Sequence, residues 1–200
     1  MRQITIVRHG QTASNAAKLL QGRRDIALSE LGSLQANALA EALRDNIFDQ
    51  VISSPLQRAL CTANAIARNR IVSVEIDQRL QERSFGLFED QLVQVYQDAL
   101  AASGELRWVY RPPGGETIGD VWQRCANFLA DLHARPFRSV LIAAHEGINR
   151  ALALQLLHRP VSEWTSFKQE NCCINRFHFD EDGHLKEYSL NDTGHLATLR

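Results

Sequence analysis

A chain of 200 residues with 44% hydrophobic side chains is long enough to bury one sizeable core, and a single domain over 1–200 is expected. The formal net charge is -1, with acids and bases spread along the chain, which argues against a basic nucleic-acid footprint and against a patch for anionic membranes. No apolar run approaches the roughly 20 residues of a membrane helix and no secretory pattern is visible, so a cytoplasmic location is expected.

Residues 3–8 read as a buried strand that ends in Arg8-His9-Gly10. The polar segment 9–28 is too long for an ordinary turn, and it carries Gln11, Thr12, Asn15, Gln21, Gly22, Arg23 and Arg24, residue types suited to an anion. Ser29 reads as the cap of a helix whose core stripe is Leu31, Leu34, Ala38, Leu39, Ala42 and Leu43. A strand at 50–53 leads into Ser54-Pro55, where proline marks the first turn of a helix to about Arg68. Arg58 in that first turn opposes the helix dipole, a conflict that an anion between Arg58 and the free backbone N–H groups would remove.

A third strand is expected at 72–76, then a loop carrying Glu82 and Phe85-Gly86, and a weakly periodic helix over 89–102. Pro112-Pro113-Gly114-Gly115 is a firm break, after which Thr117 or a neighbour caps a helix with Ile118, Val121, Trp122, Cys125, Phe128, Leu129 and Leu132 on one face. Residues 139–144 form a near-continuous apolar strand, as in the middle of a sheet covered on both faces. It ends in His145-Glu146-Gly147 and is followed by a helix from about Ile148 to Leu157, repeating the strand, histidine, glycine order of the N-terminus. Residues 172–179 and 184–190 read as a hairpin turning at Glu181-Asp182-Gly183.

Four cysteines without CxxC spacing suit neither a zinc cluster nor a disulfide framework, and Cys61 and Cys125 fall in apolar helical patterns as small core residues. Seven histidines show no HxxxH or HxH pair, so neither a metal site nor a cofactor is expected.

At the sheet's carboxyl edge the chain collects Arg8, His9, Arg58, Glu82 and His145. The order and contexts of these residues resemble the histidine phosphatase superfamily, in the branch of cofactor-dependent phosphoglycerate mutases and small phosphatases such as α-ribazole phosphatase. The resemblance runs through Val7–Thr12 with Asn15, Leu28–Gly32, Ser53–Ala59, Leu80–Glu82 with Phe85-Gly86, Pro113–Thr117 and Ala143–His145. It implies an α/β fold, a three-layer α/β/α sandwich around a mostly parallel mixed sheet. It also implies a metal-independent phosphomonoesterase acting on small phosphorylated metabolites, with His9 attacking phosphorus to give a phosphohistidine.

On that reading Arg8, Arg58 and a protonated His145 bind the phosphoryl oxygens, Asn15 adds an amide donor, and Gln21 and Gly22 belong to the substrate loop. Glu82 matches the family's acid position, while a distant acid-phosphatase branch takes its proton donor from the residue after the second histidine, here Glu146. Glu82 is the preferred donor, because the RHGxRxP signature of that branch is absent. Phe88 and Asp90 stand where many relatives carry Trp and Gly, and Trp108, Tyr110 and Arg111 are candidates for the substrate mouth. Mutase-type transfer and an idle phospho-ligand binding module are the competing functions. Oligomeric state is not legible.

Overall fold

A computed structural model describes residues 1–199. Four parallel strands and two antiparallel ones make one sheet in the order β3-β2-β4-β1-β5-β6, with β1 at Arg2–Arg8, β2 at Gln50–Ser53, β3 at Val74–Ile76, β4 at Ser139–Ala144, β5 at Ile174–Phe179 and β6 at Leu185–Asp192. The period of two along each strand divides the core. Ile4, Ile6, Val140, Ile142 and Ala144 face α5 (Ile118–His133) and α6 (Glu146–Leu156), whereas Val7, Val51, Leu141 and Ala143 face α2 (Glu30–Ala42) and α3 (Gln57–Ala67). This is the expected three-layer sandwich. A smaller cluster of Leu20, Tyr96 and Leu100, with Phe85, Phe88 and Tyr110 against it, seats α4 (Val93–Ser103) beside the carboxyl ends of the strands.

Local chemistry sets most element boundaries. Ser29 caps α2 by accepting from the Gly32 N–H at 3.0 Å, and Thr117 with Asp120 forms a reciprocal capping box on α5. α4 stops at Gly104, which takes a left-handed conformation at φ 68° that other residues adopt at a cost.

Several expectations shift. The 9–28 segment contains a one-turn helix, α1 (Ala13–Ala16), capped by Thr12 and Asn15. β3 is three residues long, and α6 begins at Glu146 because its first turn follows the strand end directly. α3 begins at Gln57, not at Pro55, and its exposed N-terminus is met by a side chain: Asp25 Oδ1 accepts from the Gln57 N–H at 2.7 Å. An anion is therefore not needed there, since the loop brings its own carboxylate to the helix dipole. Leu34 and Cys61 are exposed, lying on the solvent sides of α2 and α3, while Cys125, Cys172 and Cys173 are buried. No helix among the described residues is long and apolar enough to cross a membrane.

Candidate active site

β1 and β4 are adjacent and parallel, in a register that pairs Arg8 with Ala144, so the next residue of each strand leaves the sheet at the same level. Those residues are His9 and His145. Their ring centroids lie 5.1 Å apart, and both are buried. β2 pairs Ser53 with Ala143 on the other side of β4, which brings Ser54 against the second histidine, Oγ to Nε2 at 2.7 Å.

Hydrogen bonding assigns the His9 protons. Its Nδ1 sits 2.7 Å from the Gly10 carbonyl oxygen, which can only accept, so Nδ1 carries the proton and the neutral ring keeps its lone pair on Nε2. Burial holds the pKa of His9 well below the usual imidazole value, and the Arg8 and Arg58 charges lower it further. Thr62 fixes the Gly10 N–H at 3.2 Å and Asn171 donates to the His9 carbonyl at 3.0 Å, so the nucleophile candidate is clamped from two other elements.

His145 is shifted in the same direction, chiefly by burial and then by Arg58. Protonation of His145 therefore calls for an added negative charge, because burial and the neighbouring cations penalise the imidazolium. Ser54 Oγ accepts from the Leu56 N–H at 3.3 Å and has one proton to give. Giving it to His145 Nε2 places the ring proton on Nδ1, a buried atom with no protein partner.

The arginines are fixed by backbone carbonyls. Arg58, fully buried, donates to the carbonyls of Arg24 at 2.7 Å and Gly22 at 2.8 Å, which shapes the 21–25 loop, and burial lowers its pKa to about 10. Arg8 donates to the Gln169 carbonyl and pairs with Glu146 at 3.3 Å. The Nε atoms of both arginines are buried donors with no protein acceptor.

The two candidate acids differ in their surroundings. Glu82 accepts from the N–H of Arg83 at 2.8 Å and of Gly147 at 3.2 Å; burial nevertheless raises its pKa, the hydrogen bonds only opposing that rise. Glu146 is held between two cations, Arg8 and Arg150, the latter at 3.0 Å. One carboxyl is kept ready to hold a proton, and the other is an ion-pair partner.

A cavity of about 350 Å³ opens beside these groups, lined by Arg8, His9, Asn15, Gln21, Gly22, Arg58, Glu82 and Glu146, all expected at the site. His145, in ring contact with His9, is not among the lining residues. Asn15 accepts from the Thr12 N–H at 3.1 Å through Oδ1, leaving its amide donor uncommitted among the described residues. Gln21 is buried and takes the Thr12 hydroxyl at 2.9 Å, while Gly22, at φ 51°, contributes its carbonyl and its lack of a side chain next to Glu89.

The mouth differs from expectation. Tyr110 packs into the aromatic cluster 5.9 Å from Tyr96, Arg111 pairs with Asp120 at 2.8 Å and Trp108 packs on the main core, so none of the three lines the cavity. Arg107 and Arg150 line it instead. Asp90 adopts φ 66°, the conformation for which glycine is favoured.

The sequence profile of the histidine phosphatase superfamily, branch 1, matches residues 4–193. A glucosyl-3-phosphoglycerate phosphatase of Mycobacterium tuberculosis is 36% identical over 176 residues, covering 82% of this chain and 78% of that protein. A probable phosphoglycerate mutase of Erwinia tasmaniensis is 33% identical, covering 88% and 84%. Among solved structures, a mutant phosphoserine phosphatase from Entamoeba histolytica in complex with phosphoserine superposes with a TM-score of 0.83 at 28% identity, over 98% of this chain and 100% of that one. The profile match across nearly the whole chain, together with a superposition of that extent, shows that this chain belongs to the histidine phosphatase superfamily.

Proposed function

We propose that the protein is a metal-independent phosphomonoesterase that hydrolyses small phosphorylated metabolites through a phosphohistidine on His9. One observation carries the reading. Near a neutral imidazole whose lone pair is on Nε2, the cavity-lining Arg8, Arg58 and Arg150 each carry a buried Nε donor without a protein acceptor, and His145 Nδ1 is another such donor. Each unsatisfied buried donor costs about 1–3 kcal/mol, and a phosphoryl group, rich in acceptor oxygens, is the kind of ligand that supplies what such donors lack.

In the proposed reaction the His9 Nε2 lone pair forms a bond to phosphorus as the bond from phosphorus to the ester oxygen breaks. The proton of Glu82 passes to the leaving oxygen, giving the free alcohol. Glu82, now a carboxylate, takes a proton from water; the water oxygen bonds to phosphorus, the N–P bond breaks, and phosphate leaves with His9 neutral again. Arg8, Arg58, His145 and Asn15 hold the non-bridging oxygens, whose charge they are placed to offset. The cavity's cations disfavour a metal ion, so full activity in EDTA is expected. Four free cysteines, three of them buried, support a cytoplasmic, reducing location.

The test is turnover of a panel of phosphomonoesters in EDTA by wild type and His9→Ala, with acid-labile, base-stable labelled phosphoenzyme trapped on the wild type alone. A fully active His9→Ala variant overturns the reading. No turnover on any panel member points instead to the binding module. Mutase transfer is read from 3-phosphoglycerate with and without 2,3-bisphosphoglycerate. Isomerisation faster than phosphate release displaces hydrolysis as the main reaction.

A further inference from the structure

Five arginines and two glutamates line the cavity: Arg8, Arg58, Arg83, Arg107 and Arg150 against Glu82 and Glu146. With both histidines neutral and Glu82 holding the proton that the proposed reaction requires, that is a surplus of four positive charges in a chain whose formal net charge is -1. A phosphate dianion offsets two of the four, and the location of the remainder is visible in the contacts. Arg8 and Arg150 meet Glu146 and backbone carbonyls, Arg58 meets two carbonyls, and Arg83 meets the carbonyls of Glu116 and Tyr110 and the Tyr96 hydroxyl. Arg107 has no hydrogen-bond or ion-pair partner among the described residues.

Nor is it carried on a loose segment. The turn at 106–110 is closed by the N–H groups of Val109 and Tyr110 on the Leu106 carbonyl, at 3.0 and 3.1 Å. The next residue, Trp108, packs on the core and accepts from the Gly119 N–H at 3.1 Å. Arg107 also repels Arg150, whose pKa burial lowers first and other arginines lower further.

We propose that Arg107, backed by Arg150, is a second anion-binding station at the cavity mouth, so that the substrates are phosphomonoesters carrying a further anionic group, a carboxylate or a second phosphate. The inference rests on the phosphomonoesterase reading. An arginine fork suits either anion, and a charge-assisted contact of this kind discriminates on the order of tenfold or more against a neutral analogue.

Two substrate pairs test it. D-3-phosphoglycerate and glycerol 3-phosphate differ by a carboxylate in place of a hydroxymethyl group; fructose 1,6-bisphosphate and fructose 6-phosphate differ by a phosphate. In at least one pair, wild type is expected to favour the more anionic member by about tenfold in kcat/KM, expressed in KM. Arg107→Ala is expected to bring that ratio to about one, and Arg107→Lys, which keeps the charge and loses the fork, to fall between. The pair that discriminates names the group recognised. Ratios near one for both pairs in wild type, or ratios unchanged in Arg107→Ala, overturn the station. Hydrolysis of p-nitrophenyl phosphate by the same wild-type preparation separates the two failures: if it is turned over, only the station falls, and if it is not, the phosphatase reading falls as well.

Discussion

Gly147 occupies the first turn of α6, and its N–H donates to Glu82 Oε2 at 3.2 Å. A methyl group added there would lie 2.6 Å from Glu82 Oε1 and 3.5 Å from Glu82 Cδ, with Trp164 Cζ2 at 3.6 Å. The last two distances are ordinary contacts, so only the carboxylate end must give, by up to about 1 Å, and a side-chain end moves more readily than a helix. The backbone is unstrained, and Gly→Ala in a helix favours folding by about 0.5–1 kcal/mol, raising Tm by about 1–4 °C for a chain of this size. Gly147→Ala is therefore expected to be as stable as wild type or more so, with its proton donor displaced.

A 1 Å misplacement of a catalytic group costs up to about a hundredfold. The loss is expected to depend on the leaving group. kcat/KM covers steps up to release of the first product, so it reports the proton given to the alcohol and not the later hydrolysis of the phosphohistidine. For an alkyl phosphate kcat/KM should fall by about 10–100-fold, and for p-nitrophenyl phosphate, whose leaving group needs no proton, by less than about threefold. Steady-state kinetics on both esters, with a thermal melt, decide the matter. Equal losses on the two substrates would remove Glu82 as the donor, and Glu146→Gln reproducing the alkyl-selective loss would move that role to Glu146.

On an alkyl ester the pH profile of kcat/KM should be bell-shaped. Its acid limb lies below the ordinary imidazole value of 6.5, because burial and the arginines lower the pKa of His9, and it falls on the alkaline side as pH passes the raised pKa of Glu82 and strips its proton. Glu82→Gln should abolish only the alkaline limb, and a limb that persists assigns it to another group. Arg58→Ala leaves the carbonyls of Gly22 and Arg24 without a donor and should cost about 2–4 kcal/mol, a fall in Tm of about 10 °C, with no further stabilisation by inorganic phosphate in a thermal-shift assay. Ellman's reagent should label one thiol quickly in the native protein, the exposed Cys61; burial pushes the Cys125 and Cys173 thiols up to about 12, so three fast thiols would contradict the packing.

The proposed constellation was legible because its members sit at places that sequence marks: the carboxyl ends of two apolar strands, the start of a helix, and a loop between firm breaks. Hydrophobic patterning also marked 139–144 as a strand covered on both faces, and its alternate residues divide between the two core clusters. It misplaced Leu34 and Cys61 because a stripe at helical spacing is wider than the face that a short helix can bury. The supporting residues were out of reach for a different reason. Ser54 supports His145 from 91 residues away, Thr62 holds Gly10 from 52, and Asn171 holds His9 from 162. No local pattern encodes such partners. Arg107 escaped notice because, in a short polar and aromatic segment, the phase of a single turn decides whether residue 107, 108, 110 or 111 meets the cavity.

The two histidines share a crevice and a direction of pKa shift, so their division of labour has to come from their hydrogen bonds and from the ligand. The arginines placed to bind a phosphoryl group also lower the pKa of His9. A bound dianion would cancel much of that effect, yet burial, the larger cause, persists and favours a neutral ring on the proposed nucleophile. His145 starts from a similar depression but has its Nδ1 unpartnered, so a bound dianion would offer it the opposite charge that the protein's own groups do not supply. In the proposed reaction, one ring donates its Nδ1–H to Gly10 and keeps its lone pair for attack; the other, while neutral, accepts a hydrogen bond from Ser54 at Nε2 and keeps its Nδ1–H for a phosphoryl oxygen. In the proposed complex a second ring proton turns that contact round, so that Nε2 donates to Ser54 Oγ, and the added charge meets the negative charge that builds on phosphorus.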